Sequence, residues 1–141
     1  MRRHVRHDEI LVSIHPKYAE AILDGKKSVE YRRTMPDIVA RWNIRRMWIY
    51  ETAPTKKIVG VADMCIRWGN VFDEQRGMLT LDEYLAYMGD MDGYAIHIVS
   101  VTRFDEPLSL AAIGLKRPPQ SWMYMPTGVN PPAGTTVHIP W

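Results

Sequence analysis

Cysteine is nearly absent from this chain. Cys65 is the single thiol in 141 residues, which excludes an internal disulfide framework and any zinc site built on clustered cysteines. The five histidines show no metal-ligand spacing, and none stands four residues from another on a predicted helix face. Long apolar runs are missing too. The stretch Ile10 to Ile14 is strand-length, too short for a signal peptide or a membrane span. The basic start, Arg2-Arg3-His4-Val5-Arg6, leads into no apolar segment, so a mature cytoplasmic protein with no membrane association is expected. No low-complexity tract, internal repeat or long linker divides the chain. One domain follows, large enough to bury a core without covalent staples.

Acidic residues are scarce in the first half. Residues 1–68 hold fourteen Lys/Arg against eight Asp/Glu, whereas residues 69–141 hold four against eight. The net charge is only +2, so the asymmetry, not the total, points to one basic face and a polyanionic partner.

The pattern along the chain predicts short strands with a few helices. A strand at Glu9 to Ile14 enters a helix at Pro16, where a missing N–H does no harm. Ala19, Ile22 and Leu23 form its apolar stripe, and Gly25 ends it in the left-handed conformation. Strands are expected at about Lys27 to Arg33, Arg46 to Thr52, Ile58 to Trp68 and Tyr94 to Arg103. Gly60 marks a bulge or a close backbone approach. Pro36 to Asn43 is read as one or two helical turns. Thr80-Leu81-Asp82-Glu83 is a capping box that opens a helix ending at Gly89. Leu108 to Ile113 is read as a short helix stopped by Gly114, and a Pro/Gly-rich tail runs from Pro126 to Trp141. Such an order argues for a mixed or antiparallel barrel over a βαβ fold.

The most informative segment is Gly25-Lys26-Lys27-Ser28-Val29-Glu30-Tyr31-Arg32. Strand side chains alternate, so Glu30 and Arg32 share one face while Val29 and Tyr31 turn to the other. With Lys27 in the preceding turn, three charged groups aim at one small region, a plausible phosphate or base site. The plainer alternative is a surface ion pair, worth at most about 1 kcal/mol.

The Gly25/Lys27/Glu30/Arg32 pattern resembles the signature of the ASCH family, a branch of the PUA-like barrels. Ile10 to Ala19 and Ala21 to Gly25 carry the likeness before it. Met47 to Thr52, Ile58 to Ala62, Gly93 to Ile98, Pro107 to Leu110 and Pro119 to Trp122 carry it after. The resemblance covers residues 9–125, leaving residues 1–8 as a basic arm and 126–141 as a tail. It implies a mainly β fold with helices (α+β), a barrel of about five or six strands with two or three flanking helices, and a cleft beside the first helix. It also implies RNA binding, often at an unpaired or flipped nucleotide. No cofactor and no resident metal are expected.

Some relatives are enzymes, so hydrolysis of a modified nucleoside or of RNA is the alternative. An interaction module in a regulatory complex is a third. The N4-acetylcytidine amidohydrolases use a lysine, a threonine and a glutamate. Lys27 matches their lysine and Glu74 lies near their glutamate, but their threonine falls at Glu30, so little deacetylation is expected. Lys27, Glu30 and Glu74 are the catalytic candidates if the protein is a hydrolase. For metal-assisted RNA cleavage, Glu30, Asp63 and Glu74 can offer oxygen ligands, although their spacing does not require it.

As ligand contacts, Lys27 is suited to a phosphate, Arg32 to a phosphate or base edge, and Glu30 to a base amino group. Ser13 ends the first strand beside them. Tyr50, Trp68 and Trp122 are aromatic candidates for base stacking, with Trp122 in a proline-flanked loop.

Overall fold

The apolar run at Ile10 to Ile14 lies in the middle of a mixed sheet in the computed structural model, which describes residues 4–141. Ile10, Val12 and Ile14 join one core cluster, and Leu11 joins a second on the opposite face. Coverage on both faces explains why this strand reads as an apolar run with only weak alternation. The elements follow in the order β1 (Val5–Ile14), α1 (Pro16–Leu23), β2 (Val29–Arg32), α2 (Ile38–Asn43), β3 (Arg46–Glu51) and β4 (Lys57–Asn70). Then come α3 (Glu74–Gly77), α4 (Leu81–Met88), β5 (Asp92–Leu108), β6 (Trp122–Pro126) and β7 (Gly134–His138). The expected helix near Leu108 reduces to a 3-10 turn at Ala111–Ile113. Among the described residues no helix is long and apolar enough to cross a membrane.

The fold is mainly β with helices, but the expected barrel does not close. Strands are hydrogen-bonded in the order β2-β5-β4-β3-β1-β6, with β7 added to β5. Among the described residues only β1 and β3 run parallel. Among the described residues no ladder joins β2 to β6, the two ends of that order. The seam between them is bridged by side chains, and it is where the candidate site forms.

Two segments expected to flank the domain, the basic arm and the tail, contribute to the sheet. Residues 5–8 are the start of β1, and Arg6 is paired with Asp8 at 3.3 Å and Glu9 at 3.0 Å. Arg2 and Arg3 lie outside the described residues. The C-terminal segment contributes β7 because β5 is seventeen residues long and β2 pairs only with Tyr94 to His97. Beyond that, Ser100 to Phe104 would be paired with β4 on one side and open on the other, and Gly134–His138 fills the open side. Trp141 then stacks on His97 and donates its indole N–H to the Ile98 carbonyl at 2.7 Å.

Local chemistry sets the helices that border the seam. Pro16 opens α1, and the chain leaves it through Gly25 at φ +78°, with the Lys26 and Lys27 amides both donating to the Ala21 carbonyl. A Cβ at Gly25 would lie 2.9 Å from Val137, so β7 packs directly on this turn. α4 begins in the reciprocal Thr80–Glu83 capping box and ends at Gly89. At Gly60 the register slips against both neighbouring strands, and an added Cβ would meet the Thr102 carbonyl at 2.5 Å. Both the bulge and the close approach are present.

Candidate functional site

Glu30 and Arg32 lie opposite Ile96 and Tyr94 of β5, facing the main core, whereas Val29 and Tyr31 pack with Tyr84 of α4 on the other face. The alternation places two charged side chains on the inner face at the seam. Both are 7% exposed, and Lys27 is 1% exposed. Buried charges demand partners, and these have them.

Lys27 Nζ donates to the Val29 carbonyl at 2.8 Å and to the Gly77 carbonyl at 2.5 Å, and it pairs with Glu30 at 3.4 Å. Three acceptors use all three ammonium donors. The aromatic rings of Tyr18 and Tyr31 flank it at 5.3 and 5.2 Å. Burial lowers the Lys27 pKa below the ordinary lysine value, with Glu30 opposing the shift. In this geometry the ammonium is held by protein acceptors and lies against Glu30.

Arg32 crosses the seam. Its guanidinium donates to the Ser13 carbonyl at 3.3 Å, to Glu30 at 3.4 Å, and to both the carbonyl and hydroxyl of Ser121, at 3.1 and 2.8 Å. Its Nε is buried without a hydrogen-bond partner. Ser13 donates its hydroxyl to the Pro119 carbonyl at 2.6 Å, and Thr34 donates to Ser121 at 3.4 Å. An arginine thus ties β2 to the end of β1 and to the loop before β6 where a ladder would otherwise run.

Above these groups opens a cavity of about 490 Å³. Ser13, Lys27, Glu30 and Arg32 are brought together in its lining. Tyr18, Arg33, Thr34, Tyr87, Gln120 and Ser121 also line it, and none of these six stands out in the sequence as a site residue. Arg33 lies over the Tyr87 ring, 5.2 Å from its centre. Ser121 has a sequence signal in its place within the Pro119 to Trp122 segment, where the neighbouring tryptophan is the more conspicuous ligand contact.

Other candidates lie outside the cavity lining. Tyr50 is buried with Leu11 and Trp48 in the second core. Trp122 pairs with Val12 as part of β6 and packs edge-on against Tyr124, so its segment is a strand rather than a free loop. Glu74 is an exposed residue in the first turn of α3, outside the cavity lining. What α3 supplies to the site is the Gly77 carbonyl. Asp63 faces Arg46 and Ser100 on β4, away from Glu30. Among the described residues no three His, Cys, Asp or Glu side chains cluster to hold a metal ion.

An open, mainly β sheet with its charged cleft at the unclosed seam places the chain among small single-sheet domains. The family model of the ASCH domain matches residues 12–107, and the chain belongs to that family. It is 43% identical over 54 residues to an ASCH domain-containing ribonuclease of Zymomonas mobilis, a match covering 38% of this chain and 34% of that one. The matched stretch is thus about a third of that relative's length. The crystal structure of ASCH from Zymomonas mobilis superposes with a TM-score of 0.67 at 27% identity, covering 86% of this chain and 90% of the other. A serine-to-alanine variant of that protein superposes with a TM-score of 0.67 at 26% identity, covering 87% and 92%.

Proposed function

We propose that this protein binds single-stranded RNA by taking one unpaired nucleotide into the cleft, where Glu30 reads the base edge. The observation that carries this is the hydrogen-bond accounting around Glu30. Lys27 spends its donors on two carbonyls and this carboxylate, and Arg32 spends most of its fork on the seam. Two immobilised cations hold a carboxylate in a fixed place, and such a group accepts from a base N–H such as the cytosine amino group. The cavity has room for a nucleotide, and Arg33 with the half-exposed Tyr87 offers a cation and a ring among its lining groups. The basic excess of residues 1–68 and the membership in the ASCH family support an RNA partner. A reducing, cytoplasmic setting suits the single exposed thiol, Cys65.

The test is fluorescence anisotropy with short oligonucleotides of each base. Glu30→Gln should weaken binding of the preferred base about tenfold or more, since a good base contact discriminates by roughly 1–3 kcal/mol. Affinity should also fall steeply with salt, because neutralised phosphates release counterions. Absence of binding to any single strand, or an unchanged Glu30→Gln variant, rejects the reading.

A second reading, RNA cleavage, is favoured by the relative named as a ribonuclease. In strand scission O2′ attacks phosphorus and loses its proton, and the departing O5′ gains one. On this reading Glu30 accepts the first and the hydroxyl of Tyr18, which shares the cavity lining, donates the second. Incubation of labelled RNA decides it: a 2′,3′-cyclic phosphate product lost in Glu30→Gln supports cleavage, and intact RNA leaves binding alone. Deacetylation of N4-acetylcytidine is not proposed, because a carboxylate stands where the hydroxyl nucleophile is required.

A further inference from the structure

Beyond the cleft, the sheet carries an aromatic row that the Glu30 chemistry leaves unused. Tyr94 pairs with Arg32 across β5 and β2, and Trp68 pairs with Tyr94 across β4 and β5. Directly opposed residues share a face, so Arg32, Tyr94 and Trp68 form one row leading away from the cleft. At the usual strand spacing, the Trp68 backbone is about 10 Å from that of Arg32. The Trp68 ring lies 4.7 Å from the Tyr94 ring, and 57% of this tryptophan is exposed. The Arg41 guanidinium lies 4.8 Å from the centre of the same tyrosine ring and donates to the Pro36 carbonyl at 2.9 Å. Trp42 follows it on α2 and is 84% exposed. A tryptophan left in water forgoes a large gain from burial, so a supported, exposed indole beside a fixed arginine is suited to a flat ligand.

We propose that this row is the track on which single-stranded RNA leaves the cleft, with one flanking base stacked on Trp68 and Arg41 against the adjoining phosphate. The inference rests on the RNA reading of the cleft and extends it to a second nucleotide site. Charge decides for RNA over a protein partner. Arg33 lines the cleft and Arg41 lies over the Tyr94 ring of the row, both in the half of the sequence that carries the basic excess. Asp92 lies two residues before Tyr94 and repels phosphate, which directs the strand toward Arg41 and away from the Asn70–Asp92 end of the β4–β5 ladder. The exposed Ile38 and Val39 of α2 are the part of this surface that a protein would use instead.

Titrations with a mononucleotide, a trinucleotide and an octanucleotide test the track on Trp68→Ala, Trp68→Phe and Glu30→Gln. Trp68→Ala should lose about tenfold in affinity for the two longer RNAs and nothing for the mononucleotide. Trp68→Phe, which keeps a ring, should retain most of the affinity. Glu30→Gln should weaken all three. Equal affinity of Trp68→Ala and wild type at every length, with Glu30→Gln still impaired, overturns the track and leaves the cleft standing. Failure of the wild type to bind any of the three removes the cleft reading and the track together. Sedimentation velocity provides the other exclusion: a wild-type dimer dispersed by Trp42→Ala, with RNA affinity unchanged, makes this surface a protein interface and overturns the proposal.

Discussion

Replacing Lys27 with methionine tests the accounting around the site at its most exposed assumption. Methionine matches the length of the lysine stem and removes only the charge and its donors. Two buried carbonyls, of Val29 and Gly77, then lose their partner, and Glu30 is left facing Arg32 alone. Each hydrogen bond from a charged donor is worth roughly 1.5–3 kcal/mol, and stripping one partner from a buried pair costs about 3–5 kcal/mol. Relief of the lysine's own desolvation offsets part of that, so a net loss of about 3 kcal/mol is expected. For a domain of this size the melting temperature should fall by roughly 10 °C. Urea unfolding followed by circular dichroism measures it. Adding Glu30→Gln to Lys27→Met should restore about 1–2 kcal/mol, because the unpaired carboxylate is then gone. No ammonium donor remains for a ligand, so below the transition Lys27→Met should weaken RNA binding no more than Glu30→Gln does. A Lys27→Met protein within about 0.5 kcal/mol of wild type would refute the reasoning. So would a double variant no more stable than the single one.

The lowered Lys27 pKa also predicts a pH dependence. Between its folded value and the ordinary 10.5, the unfolded chain binds more protons than the folded one, so this residue makes stability rise with pH in that window. Urea midpoints compared at rising pH below 10.5 should show that rise in wild type and not in Lys27→Met. Glu51 provides a third test. It is buried, one oxygen has no partner, the other accepts from Thr55, and burial together with nearby Glu20 raises its pKa. A raised carboxylate pKa penalises the folded state above that pKa. Glu51→Gln should therefore stabilise by about 1 kcal/mol at neutral pH. The gain should fade as acid protonates the wild-type carboxylate, and a gain that persists at acid pH would point to a different cause.

The parts of this fold that local rules govern are legible in the order of the amino acids. Period-two alternation separates Glu30 and Arg32 from Val29 and Tyr31, and the fold divides them between the seam and the packing under α4. The capping box at Thr80 and the glycine turn at Gly25 follow from backbone chemistry a few residues wide. The rest depends on distant backbone. β6 and β7 lie among prolines and glycines with little alternation, and they become strands because Val12 and Ser100 offer unpaired edges. Lys27 does not read as saturated, because one of its acceptors is a carbonyl fifty residues away on a single-turn helix that has no periodicity to announce it.

That carbonyl makes the site depend on the C-terminal end of the chain. α3 presents Gly77 to Lys27, and Arg76 of the same helix accepts the Ser28 amide on its carbonyl while its guanidinium stacks on Trp141 at 4.1 Å. Trp141 is in turn held by the Ile98 carbonyl, and Val137 closes over Gly25 at the start of the motif. A motif of four charged and small residues is thus fixed from both ends: by the glycine turn before it, and by a strand and an indole that the sequence delivers more than a hundred residues later. Resemblance in the motif alone can find the charged residues, but which of their donors remain for a ligand is decided by this distant backbone.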